Sequence, residues 1–126
     1  MLRRLATRTA VVAATTALAA LTLAGSAEAQ RGVGYVGYGQ TNNWNAVMCV
    51  QQNINNAIAY YGIPHPYISE DGSFGPETDE AVRYMQNGWF GPSGADGIVG
   101  PRTGDAILKY GQTYLEHCYR YVPTSY

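Results

Sequence analysis

Asp71-Gly72-Ser73-Phe74-Gly75-Pro76-Glu77-Thr78 leads into Ala81-Val82, and Asp96-Gly97-Ile98-Val99-Gly100-Pro101-Arg102-Thr103 leads into Ala106-Ile107. The two stretches share the frame D-G-x-(apolar)-G-P-x-T-x-(acid)-A-(Val/Ile), and each reads as a turn that starts a helix. Asp-Gly favours a tight turn: Gly supplies a positive φ and the Asp side chain bonds its own backbone downstream. The apolar residue after it then turns inward as an anchor. Gly75 and Gly100 stand at the N-cap, and Pro76 and Pro101 at the first helical position, where a fixed φ suits the helix. Thr and the acid in the first turn suit its free N–H groups and positive dipole end. On this capping logic, Gly75→Val and Gly100→Val are both expected to unfold the domain. Neither unit can bury its face alone, so the pair implies one joint core with pseudo-symmetric loop-helix halves.

Upstream, 43–61 has the period of a helix. Val47, Val50, Ile54, Ile58 and Tyr61 fall at helical spacing on one face. Asn43 suits the N-cap, and Gly62 followed by Pro64 ends the run. Gln51, Gln52, Asn53, Asn55 and Asn56 form a carboxamide-rich side, read as a solvated face, although such groups also bond sugar hydroxyls or peptide amides. The second helix is expected from Pro76 to about Asn87, burying Ala81, Val82 and Met85 and ending near Gly88. Tyr67 lies in the Pro-punctuated loop before it, and Trp89 and Phe90 in the loop after it. The third helix is expected from Pro101 to about Tyr114, burying Ala106, Ile107 and Tyr110. The spacing therefore predicts a small all-α domain of three helices.

The ends of the chain read differently. Arg3, Arg4 and Arg8, the apolar run 11–24 and Ala27-Glu28-Ala29 have the form of a secretory signal peptide over 1–29. The run is shorter than the roughly 20 residues of a membrane span, so no membrane is expected for the mature form. Cleavage would remove three basic residues and one acid, leaving 5 basic against 8 acidic and a net charge of −3. Nucleic-acid binding, which needs a basic face, is not indicated. Residues 30–43 are Gly/Tyr-rich and read as a flexible arm, an extended linker or short added strand whose ordering is optional. Residues 44–110 form the domain, and 111–126 a Tyr-rich extension. Cys49 and Cys118, an even pair in an exported chain, are expected to form a disulfide that ties the extension back. A zinc site using His117 and Cys118 is the rival; adjacent ligands and the absence of C-x-x-C favour the disulfide.

Asp71 and Asp96 are the residues that would serve a glycosidase, which needs an opposed carboxylate pair. Each heads a repeated turn with a structural task, and one acid per loop is too few oxygens for calcium. Neither histidine has Ser or Asp at a telling spacing, so no active site, metal or cofactor is read. Aromatic residues suit binding, since rings combine large contact area with low entropy cost. Phe74 reads as a core anchor first; Tyr67, Trp89 and Phe90 are the better surface candidates.

The helix at 43–61 followed by DGSFGPETDEAVRYMQ (71–86) and DGIVGPRTGDAIL (96–108) resembles the small peptidoglycan-binding domain found beside bacterial cell-wall hydrolases. The resemblance covers about Trp44 to Tyr110, and Val47, Gln51, Gln52 and Ile54 take part in it. It implies a three-helix fold with a pseudo-twofold and non-catalytic attachment to the peptidoglycan glycan strand or stem peptide. The candidate ligand-binding residues are Tyr67, Asp71, Phe74, Thr78, Trp89, Phe90, Asp96 and Thr103. Two departures stand out. The segment NGWFGPSGA (87–95) is bulkier and more aromatic than usual, and no stretch reads as the usual catalytic neighbour. A secreted, cell-wall-associated binding module is therefore the first reading. A protein-interaction or inhibitor module on the same fold, contacting a cell-wall enzyme or another protein, is the second, and a small hydrolase the third.

Overall fold

The computed structural model describes residues 33–113 and 117–125. The signal-peptide reading of 1–29 lies outside the described residues. Three helices follow in order: α1 (Trp44–Tyr61), α2 (Pro76–Phe90) and α3 (Pro101–Gly111), with short 3-10 turns at Pro92–Gly94 and His117–Arg120. The fold is the expected all-α, three-helix domain with one disulfide, Cys49–Cys118. Among the described residues no strand forms, and no helix is long and apolar enough to cross a membrane.

Helix α1 begins where Asn43 caps it, its Oδ1 accepting from the N–H groups of Asn45 and Ala46 at 2.9 and 3.2 Å. Its face of Val47, Val50, Ile54 and Ile58 is buried. Each such side chain contributes about 1.5–3 kcal/mol on leaving water. Tyr61, expected on that face, is instead 50% exposed. It comes at the last turn, where α1 has run past the core. Helix α1 packs chiefly on α3, and α2 closes the core with Ala81, Val82 and Met85. Phe74 and Val99, the apolar residues of the two turns, are buried at 9% and 0% exposure, as their equivalent places in the repeat require.

The structure departs from expectation at three boundaries. Helix α2 does not stop at Gly88 but runs to Phe90, with Gly91 (φ 86°) taking the cap and donating to Asn87 O at 2.9 Å. Trp89 and Phe90 thus belong to the last turn of a helix, not to a loop. Gly88 is tolerated because a single glycine costs a helix only about 1 kcal/mol. Helix α3 stops at Gly111, short of Tyr114, with Gln112 left-handed at φ 62°. Side chains of α1 favour that stop: Asn56 Nδ2 donates to Gly111 O at 3.3 Å, and Thr113 Oγ1 to Asn53 Oδ1 at 2.6 Å. Third, Val36 is 1% exposed and exchanges backbone hydrogen bonds of 3.1 and 2.7 Å with Val99 in an isolated antiparallel bridge. Residues 33–43, expected as a flexible arm or a short added strand, here carry a side chain into the core beside that bridge.

The extension is also docked. Val122 is fully buried, and the N–H of Ser125 donates to Asp105 Oδ1 at 3.1 Å, while its hydroxyl meets Oδ2. The tail crosses α3 at Gly104, where an added Cβ would lie 1.6 Å from Pro123 O. At Gly75, by contrast, an added Cβ meets nothing within 4 Å. Its backbone is extended (φ −104°), open to any residue. The expectation that Gly75→Val unfolds the domain therefore loses its basis; at Gly100 the neighbour is the Tyr35 ring, 3.3 Å away. Thermal melts should separate these sites: Gly75→Ala is expected to cost less than about 1 kcal/mol, and Gly104→Ala about 1–3 kcal/mol. Equal melting temperatures for the two variants would contradict the docked tail.

Candidate functional site

The two repeated turns are each held by one buried glutamine. In α1, Gln51 Nε2 donates to Asp71 Oδ1 (3.0 Å), Ser73 O (3.1 Å) and Thr78 Oγ1 (3.0 Å), and Gly72 N donates to Gln51 Oε1 (2.9 Å). In α2, Gln86 Nε2 donates to Asp96 Oδ1, Ile98 O and Thr103 Oγ1, all at 3.0 Å, and Gly97 N donates to Gln86 Oε1 (2.8 Å). Each aspartate also accepts from the N–H two residues on, Ser73 and Ile98. The pseudo-symmetry is thus carried by a side chain outside the repeated motif, on the helix preceding each turn. Gly72 (φ 74°) and Gly97 (φ 77°) take the positive φ that Asp-Gly predicted, and Trp44 sits so close over Gly72 that a Cβ there would meet its indole.

This geometry corrects the solvated reading of the carboxamide side of α1. Gln51 and Asn53 are buried at 0% and 1% exposure. They serve turns and helix ends, with Asn53 Nδ2 on Cys49 O (2.8 Å) and Asn55 bonding Ile68 through both its side-chain atoms. It also shows where five candidate ligand residues go. Asp71, Thr78, Asp96 and Thr103 lie in the glutamine clamps, and Phe74 lies in the core.

The Asp71 carboxyl is held below the usual aspartate range, first by the Ser73 N–H and then by Gln51 Nε2, against a smaller opposing effect of desolvation. A depressed folded-state pKa means that the ionised form is favoured by folding. That contribution is present above the unfolded-chain value near 4 and is lost as pH falls through the lower folded value. Urea midpoints measured from about pH 6 down to pH 2 should show an acid-side loss in the native protein that Asp71→Asn reduces. An unchanged acid limb in the variant would remove Asp71 from the account.

A candidate binding surface lies elsewhere, between the end of α2 and the outer face of α3, where half-buried rings meet charged side chains and Trp89 also packs against the core. Trp89, Phe90, Arg102, Asp105, Ala106, Lys109 and Tyr110 line an open groove of about 570 Å³. Its rings form a connected series. Trp89 stacks on Tyr110 (5.3 Å, 16°) and meets Phe90 edge-on at 6.1 Å; Tyr110 meets Tyr61 edge-on at 5.8 Å, and Tyr61 meets Tyr60 at 4.8 Å. The Arg102 guanidinium lies 3.9 Å over the Phe90 ring, and Lys109 Nζ lies 5.3 Å from the Tyr110 ring centre. Of the sequence candidates the groove gathers Trp89 and Phe90. Tyr67 is exposed but lines no part of it. Arg102, Lys109 and Tyr110 were not singled out as site residues, though Arg102, Ala106 and Lys109 recur at helical spacing along one face of α3.

Residues 45–107 match the family model described as a putative peptidoglycan binding domain. The chain belongs to that family. No curated protein and no solved structure matches it. In this peptidoglycan-binding domain the match begins at the first turn of α1 and ends within α3, so it spans both glutamine clamps and the whole of α2. The segment 33–43 and the C-terminal extension, both packed on the core, flank the matched residues.

Proposed function

We propose that the protein is a secreted, non-catalytic module that binds peptidoglycan in the groove between α2 and α3. The observation that carries this reading is the stacked Trp89–Tyr110 pair with Arg102 and Lys109 beside it. Ring faces hold the C–H faces of sugars, and paired cations hold carboxylates, which peptidoglycan stem peptides carry. The placement of charge supports it. The expected mature chain is acidic overall, yet two of its basic residues, Arg102 and Lys109, lie in this groove, with one acid, Asp105, between them. On this reading the rings take the glycan strand and the two cations take the stem-peptide carboxylates. The clamped aspartates have structural work and no part in hydrolysis.

Co-sedimentation with purified cell-wall sacculi, with chitin and cellulose as controls and turbidity followed throughout, tests the proposal. The protein is expected to sediment with sacculi selectively and without clearing them. Replacing Arg102 and Lys109 together by Gln should weaken binding about tenfold, or about 1.4 kcal/mol. Clearing of the suspension would favour a hydrolase. Absence of co-sedimentation would favour the second reading, a protein partner at Trp89 and Phe90.

A further inference from the structure

We propose that Cys49, Cys118 and His117 form a thiolate–imidazole site for a zinc-like divalent ion whenever the disulfide is reduced. In the oxidised protein the two cysteines, each 1% exposed, are joined, and the exposed His117 is set over the bond. Its Nε2 lies 3.8 Å from Cys49 Sγ and 3.8 Å from Cys118 Sγ. A tetrahedral ion with Zn–S of about 2.3 Å and Zn–N of about 2.0 Å separates nitrogen from sulfur by about 3.5 Å and sulfur from sulfur by about 3.8 Å. Two of the three edges of such a site are therefore within a few tenths of an ångström of place, and only the sulfurs must part. The three ligand atoms come from two regions of the chain already packed together, α1 and the His117–Arg120 turn.

His117 and Cys118 are neighbours in sequence, a spacing that argues against a metal when read alone. The short helical turn resolves this by aiming both side chains at Cys49. The chemistry balances without further groups. A tertiary phosphine and one water convert the disulfide to two thiols and a phosphine oxide. The ion then displaces both thiol protons and binds two thiolates and the neutral imidazole nitrogen. The exposed side of His117 leaves the fourth position to water, the open coordination that zinc adopts with three protein ligands.

The test uses the intact protein, oxidised or reduced with a tertiary phosphine, titrated with Co2+ and then Zn2+. The reduced protein is expected to bind one Co2+ per chain, with the visible bands of a tetrahedral ion and a thiolate charge-transfer band, both erased by Zn2+. The oxidised protein is expected to show neither. His117→Gln should lower zinc affinity at least about tenfold in the reduced state, whereas His65→Gln, which alters the only other histidine, should leave it unchanged. Four results would each overturn the proposal: no thiolate band in the reduced protein, two chains per ion, equal zinc affinity in His117→Gln, or a reduced protein whose circular dichroism stays unfolded with metal present.

Discussion

Gln51→Ala and Gln86→Ala are each expected to destabilise the domain by about 3–5 kcal/mol. Each glutamine is almost wholly buried and satisfies four partners: an aspartate, a backbone carbonyl, a threonine hydroxyl and the N–H of a glycine. Removing the side chain leaves a cavity and unpairs the buried threonine hydroxyl, Thr78 at 2% or Thr103 at 6% exposure, whereas the exposed aspartates can bond water instead. The cost follows from the unpaired groups more than from the bonds themselves, so Gln51→Leu, which fills the space, should recover little. Gln86→Glu gives the sharper test. It keeps an acceptor for Gly97 N but brings a carboxylate to the 3.0 Å position beside Asp96 Oδ1. Like charges at that distance cannot both remain ionised without penalty. The variant should therefore be weak at neutral pH and regain stability on acidification, opposite to the native acid limb. Chemical denaturation of the Ala variants checks the magnitude; a cost below about 1 kcal/mol in both would show that the clamps do not hold the turns.

Loss of the Cys49–Cys118 disulfide is the second large effect. The cysteines are 69 residues apart, and the loop-entropy estimate for that span is about 4 kcal/mol. For a domain of this size that is a large fraction of a total stability of about 5–15 kcal/mol. Cys49→Ala with Cys118→Ala should lower the melting temperature by about 15–30 °C. The bond ties the C-terminal extension to α1, so the first signals to lose protection from hydrogen exchange should be those around the buried Val122 and Thr124. A double variant that melts within a few degrees of the native protein would mean that Val122 and the Ser125–Asp105 contact hold the extension unaided.

These two effects also mark how far the sequence could be read. The repeated Asp-Gly turn and Gly-Pro helix start were legible because backbone geometry at those positions depends on local residue types. The helix period over 43–61 was legible for the same reason, and the disulfide followed from the even cysteine count and the signal-peptide-like start. Three things were hidden. Gln51 and Gln86 are the same residue type in equivalent roles, but one lies 20 residues before its aspartate and the other 10; the shared pattern appears only when the helices are folded beside their turns. A carboxamide on a helix looks solvated until its partners are known, and Gln51 and Asn53 show their burial only once the turns are folded against α1. The end of α2 was misplaced because glycine is a weak helix breaker: Gly91, rather than Gly88, adopts the terminating conformation. That shift of a few residues moved Trp89 and Phe90 from a loop onto a rigid helical turn facing α3. The groove stays invisible for a further reason: Arg102, Lys109 and Tyr110 reach it from α3, and no local signal places that helix opposite Trp89.

The most direct test of the binding groove reads its central ring. The protein has two tryptophans, Trp44 over the first turn and Trp89 in the groove, and each gives one indole N–H signal in a nitrogen–proton correlation spectrum. Titration with soluble disaccharide-peptide fragments of peptidoglycan is expected to shift or broaden the Trp89 signal while leaving Trp44 in place, with the Lys109 and Tyr110 amides moving alongside. Binding that moves Trp44 and leaves Trp89 untouched would place the ligand on another face and contradict the groove.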